Sequence, residues 1–101
     1  MFEAGQYNKA MKNFRQALEI SREFKKEIEI ARALKRIGNV YYQQDQYDKA
    51  MEHYQKALTI SRKLKKEGEV ATDLADIGDV HYAQDQYDKA MEHYQKALTI
   101  S

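Results

Sequence analysis

The stretch QDQYDKAMEHYQKALTIS occupies residues 44–61 and occurs again, letter for letter, at residues 84–101. The agreement extends beyond it: residues 31–61 and 71–101 are identical at 24 of 31 positions, and residues 1–30 and 41–70 at 14 of 30. All these copies are offset by 40 residues. Self-similarity at one fixed offset predicts an array built from a single structural unit.

Each unit is predicted to contain two α-helices. In the first helix of the middle unit, helix A, apolar or small residues recur three and four positions apart from Ile30 to Tyr41. This spacing places them on one face of a helix. The polar residues 44–46 predict a short turn, and a second stripe, helix B, runs from Tyr47 to Leu64. The chain has no proline and is rich in strong helix formers, so an all-α protein is expected.

Two glycines interrupt helix A in a way that predicts close helix packing. Gly38 and Gly78 lie in mid-helix, where glycine costs about 1 kcal/mol relative to alanine. Their recurrence indicates that a side chain of the neighbouring helix needs the space. Ala50 and Ala57 would let helix B approach helix A, and Tyr54 would fill the gap between them.

The residues at these packing positions form a motif. In the middle unit it reads Leu34-x2-Ile37-Gly38-x2-Tyr41, then Tyr47-x2-Ala50-x3-Tyr54-x2-Ala57. This pattern resembles the tetratricopeptide repeat. The last unit matches it with His81 in place of Tyr41, and the first, incomplete unit keeps Gly5, Tyr7, Ala10, Phe14 and Ala17.

The chain departs from the family pattern in two respects. The closing proline is absent, with Arg22 and Arg62 in its place. The period is 40 residues instead of the usual 34, which resembles a long-period variety of the family. The extra residues are expected to lengthen helix B and the start of the next helix A.

The resemblance implies antiparallel helix hairpins stacked as an α-solenoid. Because Met1 aligns with Tyr41, the fold should begin with the end of a helix A and a lone helix B, giving about five helices. The expected units are a partial one at residues 1–30, a full one at 31–70 and a third at 71–101. No polar capping helix follows, which predicts either an excerpt of a longer array or a chain that associates with itself.

Composition and motifs argue against several classes of function. A net charge of +1 does not favour a protein that binds nucleic acid through phosphates. Neither a membrane span nor a signal peptide is evident, and cysteine is absent, which fits a cytoplasmic protein. No constellation of a nucleophile and a base suggests an enzyme, and neither a metal site nor a cofactor is expected. His53 and His93 should be solvated, and His81 should be packed.

What the resemblance implies about function is the binding of a protein, either a peptide or a partner helix, in a concave groove lined by the A helices. Tyr42 and Tyr82 are the strongest candidates for ligand contact, since aromatic anchors carry much of the energy of an interface. The predicted groove residues are Arg32, Lys35, Arg36, Asn39, Tyr42, Thr72, Asp76, Asp79 and Tyr82.

The charges of the two A helices admit two interpretations. Residues 31–43 carry +3, whereas residues 71–83 carry −3, from Asp73, Asp76 and Asp79. These charged side chains could complement the order of charges along a ligand, or they could pair with one another across adjacent helices. Lys35 and Asn39 also resemble, in position, the family's clamp for a terminal carboxylate, although Asp76 opposes that role. The acidic second helix also interrupts any basic stripe for RNA.

The junctions between units differ at one position. KKEGEV contains Gly68, which is expected to adopt a positive φ and end helix B, whereas KKEIEI contains Ile28. Local preference therefore favours one continuous helix from about Asn8 to Gln43. Such a helix would open the hairpin, so a domain-swapped homo-oligomer without a dedicated ligand is the alternative function. The predicted hinge consists of Lys26, Glu27, Ile28 and Glu29.

Overall fold

A computed structural model describes residues 4–23 and 26–100, and within them the regular structure is entirely helical. The five helices of these residues are α1 (Ala4–Glu23), α2 (Glu27–Gln43), α3 (Tyr47–Lys63), α4 (Glu67–Ala83) and α5 (Tyr87–Ile100). The predicted all-α class and the short turn at residues 44–46 are confirmed. Helices α2 and α4 are the A helices, and α1, α3 and α5 are the B helices.

The helices pack in the order of the chain. Helices α2 and α3 form one hairpin, α4 and α5 form the next, and α1 and α3 pack against the A helix that follows each of them. Helices α2, α3 and α4 each have 17 residues, and three residues separate consecutive helices from α2 onward. Equivalent helices therefore begin 40 residues apart, at Glu27 and Glu67.

The core consists of two clusters that meet on α3. The larger cluster joins Tyr54 and Leu58 of α3 to α4, whose buried members are Val70, Leu74, Ile77 and Val80. The smaller joins Ala57 to Ala31 and Leu34 of α2. Alanine at positions 50 and 57 is fully buried. Small side chains at these positions let helix B lie close to its neighbours, as the sequence predicts.

The mid-helix glycines make room for tyrosine rings. A Cβ atom built on Gly38 would lie 2.8 Å from Cε1 of Tyr54, and one built on Gly78 would lie 2.7 Å from Cε1 of Tyr94. These distances are shorter than carbon atoms tolerate. The prediction that a neighbouring side chain occupies this space is confirmed in both hairpins.

The helix ends do not use glycine, which corrects the role predicted for Gly68. Among the described residues, positive φ occurs at Asp45 (60°), Lys65 (55°) and Asp85 (62°), and at no glycine. Each of the three follows a helix whose last carbonyls accept the paired bonds of a Schellman motif, such as Lys66 N–H to Ser61 O and Lys65 N–H to Arg62 O. Gly68 instead lies in the first turn of α4, with open space around it.

The continuous helix that local preference favours through Ile28 does not form. Helix α1 ends at Glu23, and Lys26 has a non-helical conformation (φ −90°, ψ 85°) before α2 begins at Glu27. The half-buried Ile28 packs against the cluster of Ala31, Leu34 and Ala57. Burial of an apolar face on α2 thus overrides the local preference for one long helix. Phe24 and Lys25 lie outside the described residues.

Candidate partner-binding groove

The predicted groove residues all lie on α2 and α4 and retain access to solvent. Arg32, Arg36, Thr72, Asp79 and Tyr82 are exposed. The remaining four are half-buried, namely Lys35, Asn39, Tyr42 and Asp76. Each of the two helices therefore presents polar and aromatic side chains to solvent.

Ion pairs join α2 to α4. Nη2 of Arg32 lies 3.1 Å from Oε1 of Glu69, and Nζ of Lys35 lies 3.4 Å from Oδ2 of Asp76. The sequence suggested the Lys35–Asp76 pair. Arg32, however, pairs with Glu69, which is not one of the three aspartates that give residues 71–83 their negative charge. Cross-helix pairing thus accounts for two of the three bases, and Arg36 has no ion pair within the described chain.

The Lys35–Asp76 pair is the less solvated of the two. The side chains of Lys35 and Asp76 are each about one fifth exposed, at 21% and 19%. Burial raises the pKa of the Asp76 carboxyl, and the Lys35 ammonium opposes this shift. Oδ2 of Asp76 has no hydrogen bond of good geometry, so its compensation comes from the ammonium charge. The Lys35 ammonium is therefore already paired within the fold, which argues against the predicted role of Lys35 in clamping a terminal carboxylate.

Asp73 belongs to the core, although the sequence suggested a surface charge. Only 1% of it is exposed, and its Oδ2 accepts a hydrogen bond of 2.9 Å from the hydroxyl of the equally buried Ser61. Burial raises the pKa of the Asp73 carboxyl to about 6, while the Ser61 bond and Lys35 oppose the shift. The signal that could have revealed its position is its counterpart one unit earlier, the buried Ala33.

Asn39 and Asp79 hold the tyrosines of the B helices. The Tyr54 hydroxyl donates to Oδ1 of Asn39, and the Tyr94 hydroxyl donates to Oδ1 of Asp79. Burial raises the pKa of both tyrosines, so both remain protonated donors at neutral pH. These bonds orient the rings that lie against Gly38 and Gly78. The two groove residues therefore also fix the geometry of each hairpin.

The two candidate aromatic anchors are not equivalent. Tyr42 is half-buried and meets the Tyr47 ring edge-on at 5.6 Å between centroids. Tyr82 makes the corresponding contact with Tyr87 at 5.1 Å but is 59% exposed. Tyr82 offers most of its ring for contact with another molecule, whereas Tyr42 is largely part of the packing.

Sequence comparison now places the chain. One family model described as tetratricopeptide repeat matches residues 29–101, and a second model of the same description matches residues 2–24. The chain belongs to the tetratricopeptide repeat family. A comparison with curated proteins gave no significant match.

Solved structures of tetratricopeptide-like arrays share the fold. The crystal structure of BtubC (BKLC) from P. vanneervenii superposes with a TM-score of 0.82 at 26% identity, over 95% of this chain and 39% of that one. The apo form of RapI superposes with a TM-score of 0.83 at 32% identity, over 94% of this chain and 34% of that one. The chain therefore spans between one third and two fifths of the length of these two similar proteins.

The histidines of this tetratricopeptide array pack in its hairpins. The rings of His81 and His93 lie 5.0 Å apart, as Tyr41 and His53 lie 5.2 Å apart in the preceding hairpin. His81 is packed as predicted. The prediction that His53 and His93 are solvated holds only in part, because each residue is half-buried and its ring lies against a partner on helix A. Within the described part of the chain, no cluster of three metal-ligating side chains occurs.

The predicted hinge residues serve as the start of α2. Nζ of Lys63 on α3 donates a hydrogen bond of 3.0 Å to Oε1 of Glu27 and forms an ion pair with it, and Oε1 of Glu29 lies 3.5 Å from Nη1 of Arg32. The first of these contacts joins the first turn of α2 to α3, its partner in the hairpin, and the second lies within α2. Of the described helices, none is long and apolar enough to cross a membrane.

Proposed function

We propose that the protein is an interaction module that binds a peptide or a partner helix along the groove face of α2 and α4, without catalysis. Membership of the tetratricopeptide repeat family supports an interaction role in general. The observation that favours this particular face is the exposure of Tyr82, a large aromatic ring on a helix whose apolar stripe is already buried. Rigid aromatic side chains of this kind often anchor an interface.

The charges along the groove predict which chemical groups a ligand would carry. Arg32 and Lys35 are neutralised by Glu69 and Asp76, which leaves the exposed Arg36 as a base without an acidic partner among the described residues. A ligand with an apolar or aromatic side chain for Tyr82 and an acidic group for Arg36 would use both. One unpaired base does not supply the several phosphate contacts on which nucleic-acid binding depends, so a protein is the partner that we propose.

A peptide library presented to the whole chain, followed by titration of the best ligand, tests this function. We expect Tyr82→Ala to weaken that ligand about tenfold or more, since truncation of an aromatic anchor costs about 2 kcal/mol. Gln55→Ala on the exposed face of α3 is the control and should change nothing. A library without any binder, or a best ligand indifferent to Tyr82→Ala, would refute the proposal. Tyr42→Ala is less informative alone, because this half-buried ring also stabilises the fold.

The alternative of a domain-swapped structural unit loses its main support. The swap through Ile28 required a continuous helix there, and the chain leaves the helical conformation at Lys26. The ion pair between Glu27 and Lys63 holds α2 in its own hairpin. The groove on α2 and α4 is therefore the function that we favour.

A further inference from the structure

Asp79 and Asn39 occupy the same position of the two A helices, 40 residues apart. Oδ1 of Asn39 accepts a hydrogen bond from the Tyr54 hydroxyl. Oδ1 of Asp79 accepts the corresponding bond from the Tyr94 hydroxyl. A neutral amide thus satisfies the tyrosine of the first hairpin. The negative charge of Asp79 is therefore additional to what the second hairpin requires.

The charge of Asp79 has no counter-ion within residues 4–23 and 26–100. No basic side chain of these residues forms an ion pair with it, and the residue is exposed on α4. Asp76, three positions earlier, differs because Nζ of Lys35 lies 3.4 Å from its Oδ2. Asp79 therefore offers an uncompensated carboxylate on the groove face.

Two tyrosine rings accompany this carboxylate. Tyr82 lies three positions after Asp79, which places both on one face of α4, and 59% of Tyr82 is exposed. Tyr42 comes from α2 and packs against the core cluster that contains Val80 of α4. Burial raises the pKa of Tyr42, and the charge of Asp79 raises it further, because the carboxylate lies near this ring. A carboxylate with an aromatic ring from each A helix thus lies on the groove.

We infer that Asp79, Tyr42 and Tyr82 bind the ammonium or guanidinium group of a basic side chain in the peptide ligand. This inference rests on the proposed function, since the ligand is the one that binds along α2 and α4. The carboxylate supplies the counter-charge, and the faces of aromatic rings attract cations. The aliphatic stem of a lysine or an arginine would cover the exposed Tyr82 ring. The ligand would thus carry a base for Asp79 in addition to an acidic group for Arg36.

A further unit of the array would not close this site. The corresponding positions of α2 are Asn39 and Tyr42, and both keep access to solvent although another A helix, α4, follows. Helix α4 itself packs between α3 and α5 on its other faces. Stacking of units therefore leaves the groove face of an A helix open to a ligand.

Four pools of short random peptides, acetylated at the amino end, test this inference. The pools differ in one fixed central residue, which is lysine, arginine, norleucine or glutamate. Norleucine keeps the length of the lysine stem without its charge, and acetylation removes the terminal amine as a second source of an ammonium. We expect the immobilised whole chain to retain the lysine and arginine pools about fivefold better than the norleucine pool, and the glutamate pool least.

Asp79→Asn should abolish this preference. Its urea midpoint should match that of the parent, because an amide already satisfies the same tyrosine bond at Asn39. Glu52→Gln is the matched control, since it removes one negative charge from an exposed site on α3 outside the groove, and it should leave the preference unchanged.

The outcomes separate this inference from the function on which it rests. Equal retention of all pools by the parent, or a preference that survives in Asp79→Asn, would overturn the cation site. The groove itself would stand in that case if Tyr82→Ala still weakened peptide binding. Retention of no pool by the parent would overturn both the cation site and the proposed function.

Discussion

The ring of Tyr54 lies where a side chain on Gly38 would have to be, 2.8 Å from the position of a Cβ atom. We expect Gly38→Ala to lower the free energy of unfolding by about 1–2 kcal/mol, because overpacking outweighs the gain of about 1 kcal/mol in helix propensity. Urea unfolding followed by circular dichroism measures the change. Gly68→Ala is the matched control: its surroundings are open, so it should stabilise by up to about 1 kcal/mol. Stabilisation by both changes would contradict the packing interpretation.

The buried Asp73 should make stability depend on pH. Burial raises its pKa to about 6 in the folded chain, above the ordinary value of 3.8. The folded state therefore holds the proton on Asp73 more tightly than the unfolded state, so the contribution of this group to stability is greatest below about pH 4 and is lost as the pH rises through about 6. Asp73→Asn keeps an acceptor for Ser61 and removes this ionisation. At pH 7.5 we expect it to raise the free energy of unfolding by about 1–2 kcal/mol.

Unfolding of the parent and Asp73→Asn at pH 4 and pH 7.5 tests this expectation. The advantage of the variant should be large at pH 7.5 and small at pH 4. Glu52→Gln, at an exposed position, is the control and should show no comparable pH-dependent difference. An equal effect of Asp73→Asn at both pH values would contradict a raised pKa at this site.

Lys65 ends α3 in a left-handed conformation, with φ at 55°. Side chains other than glycine pay about 1–2 kcal/mol in this region, so Lys65→Gly should stabilise the chain by about 1 kcal/mol. Asp85→Gly should stabilise the chain less, because it also removes the hydrogen bond of 2.9 Å that Oδ1 of Asp85 accepts from the Tyr87 hydroxyl. Thermal and urea unfolding of both variants provide the comparison. A neutral effect at Lys65 would show that this backbone conformation costs little.

The two ion pairs between α2 and α4 should differ in how much they contribute to the free energy of unfolding. Lys35→Met removes the counter-charge of a carboxylate that is only 19% exposed, and we expect a loss of about 2 kcal/mol at pH 7.5. Arg32→Met affects a pair that is 45% and 28% exposed, and the loss should stay below about 1 kcal/mol. Asp76→Asn added to Lys35→Met should recover most of the loss. Equal effects of the two single changes would contradict the difference in burial.

The sequence predicted most of the fold because its packing signals repeat. Gly38 and Gly78 occupy the same position of the two A helices, and the tyrosines that lie against them occupy the same position of the B helices that follow. The residues that close the helices escaped prediction because the positive φ falls on Asp45, Lys65 and Asp85, and these side chains give no glycine signal. Gly68 suggested the wrong residue for the positive φ that follows α3. The packing of Ile28 stabilises a helix start that local preference did not favour.

At the candidate groove, sequence reasoning placed side chains on the correct helices and erred about their surroundings. Asp73 was grouped with Asp76 and Asp79 by charge alone, yet it is one of the most buried residues of α4. Its depth depends on the angle at which α4 meets α3, which helical periodicity does not specify. The pairing of Arg32 with Glu69 was missed for a similar reason, since the relative position of α2 and α4 along their axes determines which charged side chains meet.

The identity of α3 and α5 has a consequence for how such a chain can change in length during evolution. Removal of α4 and α5 would uncover Leu58 in the setting that Leu98 now has, and insertion of one more 40-residue unit would cover Leu98 and display the same leucine further on. Each 40-residue unit therefore offers the same apolar face to the helix that follows it. Units of this kind could thus be gained or lost during evolution without a change in the face on which the next helix packs.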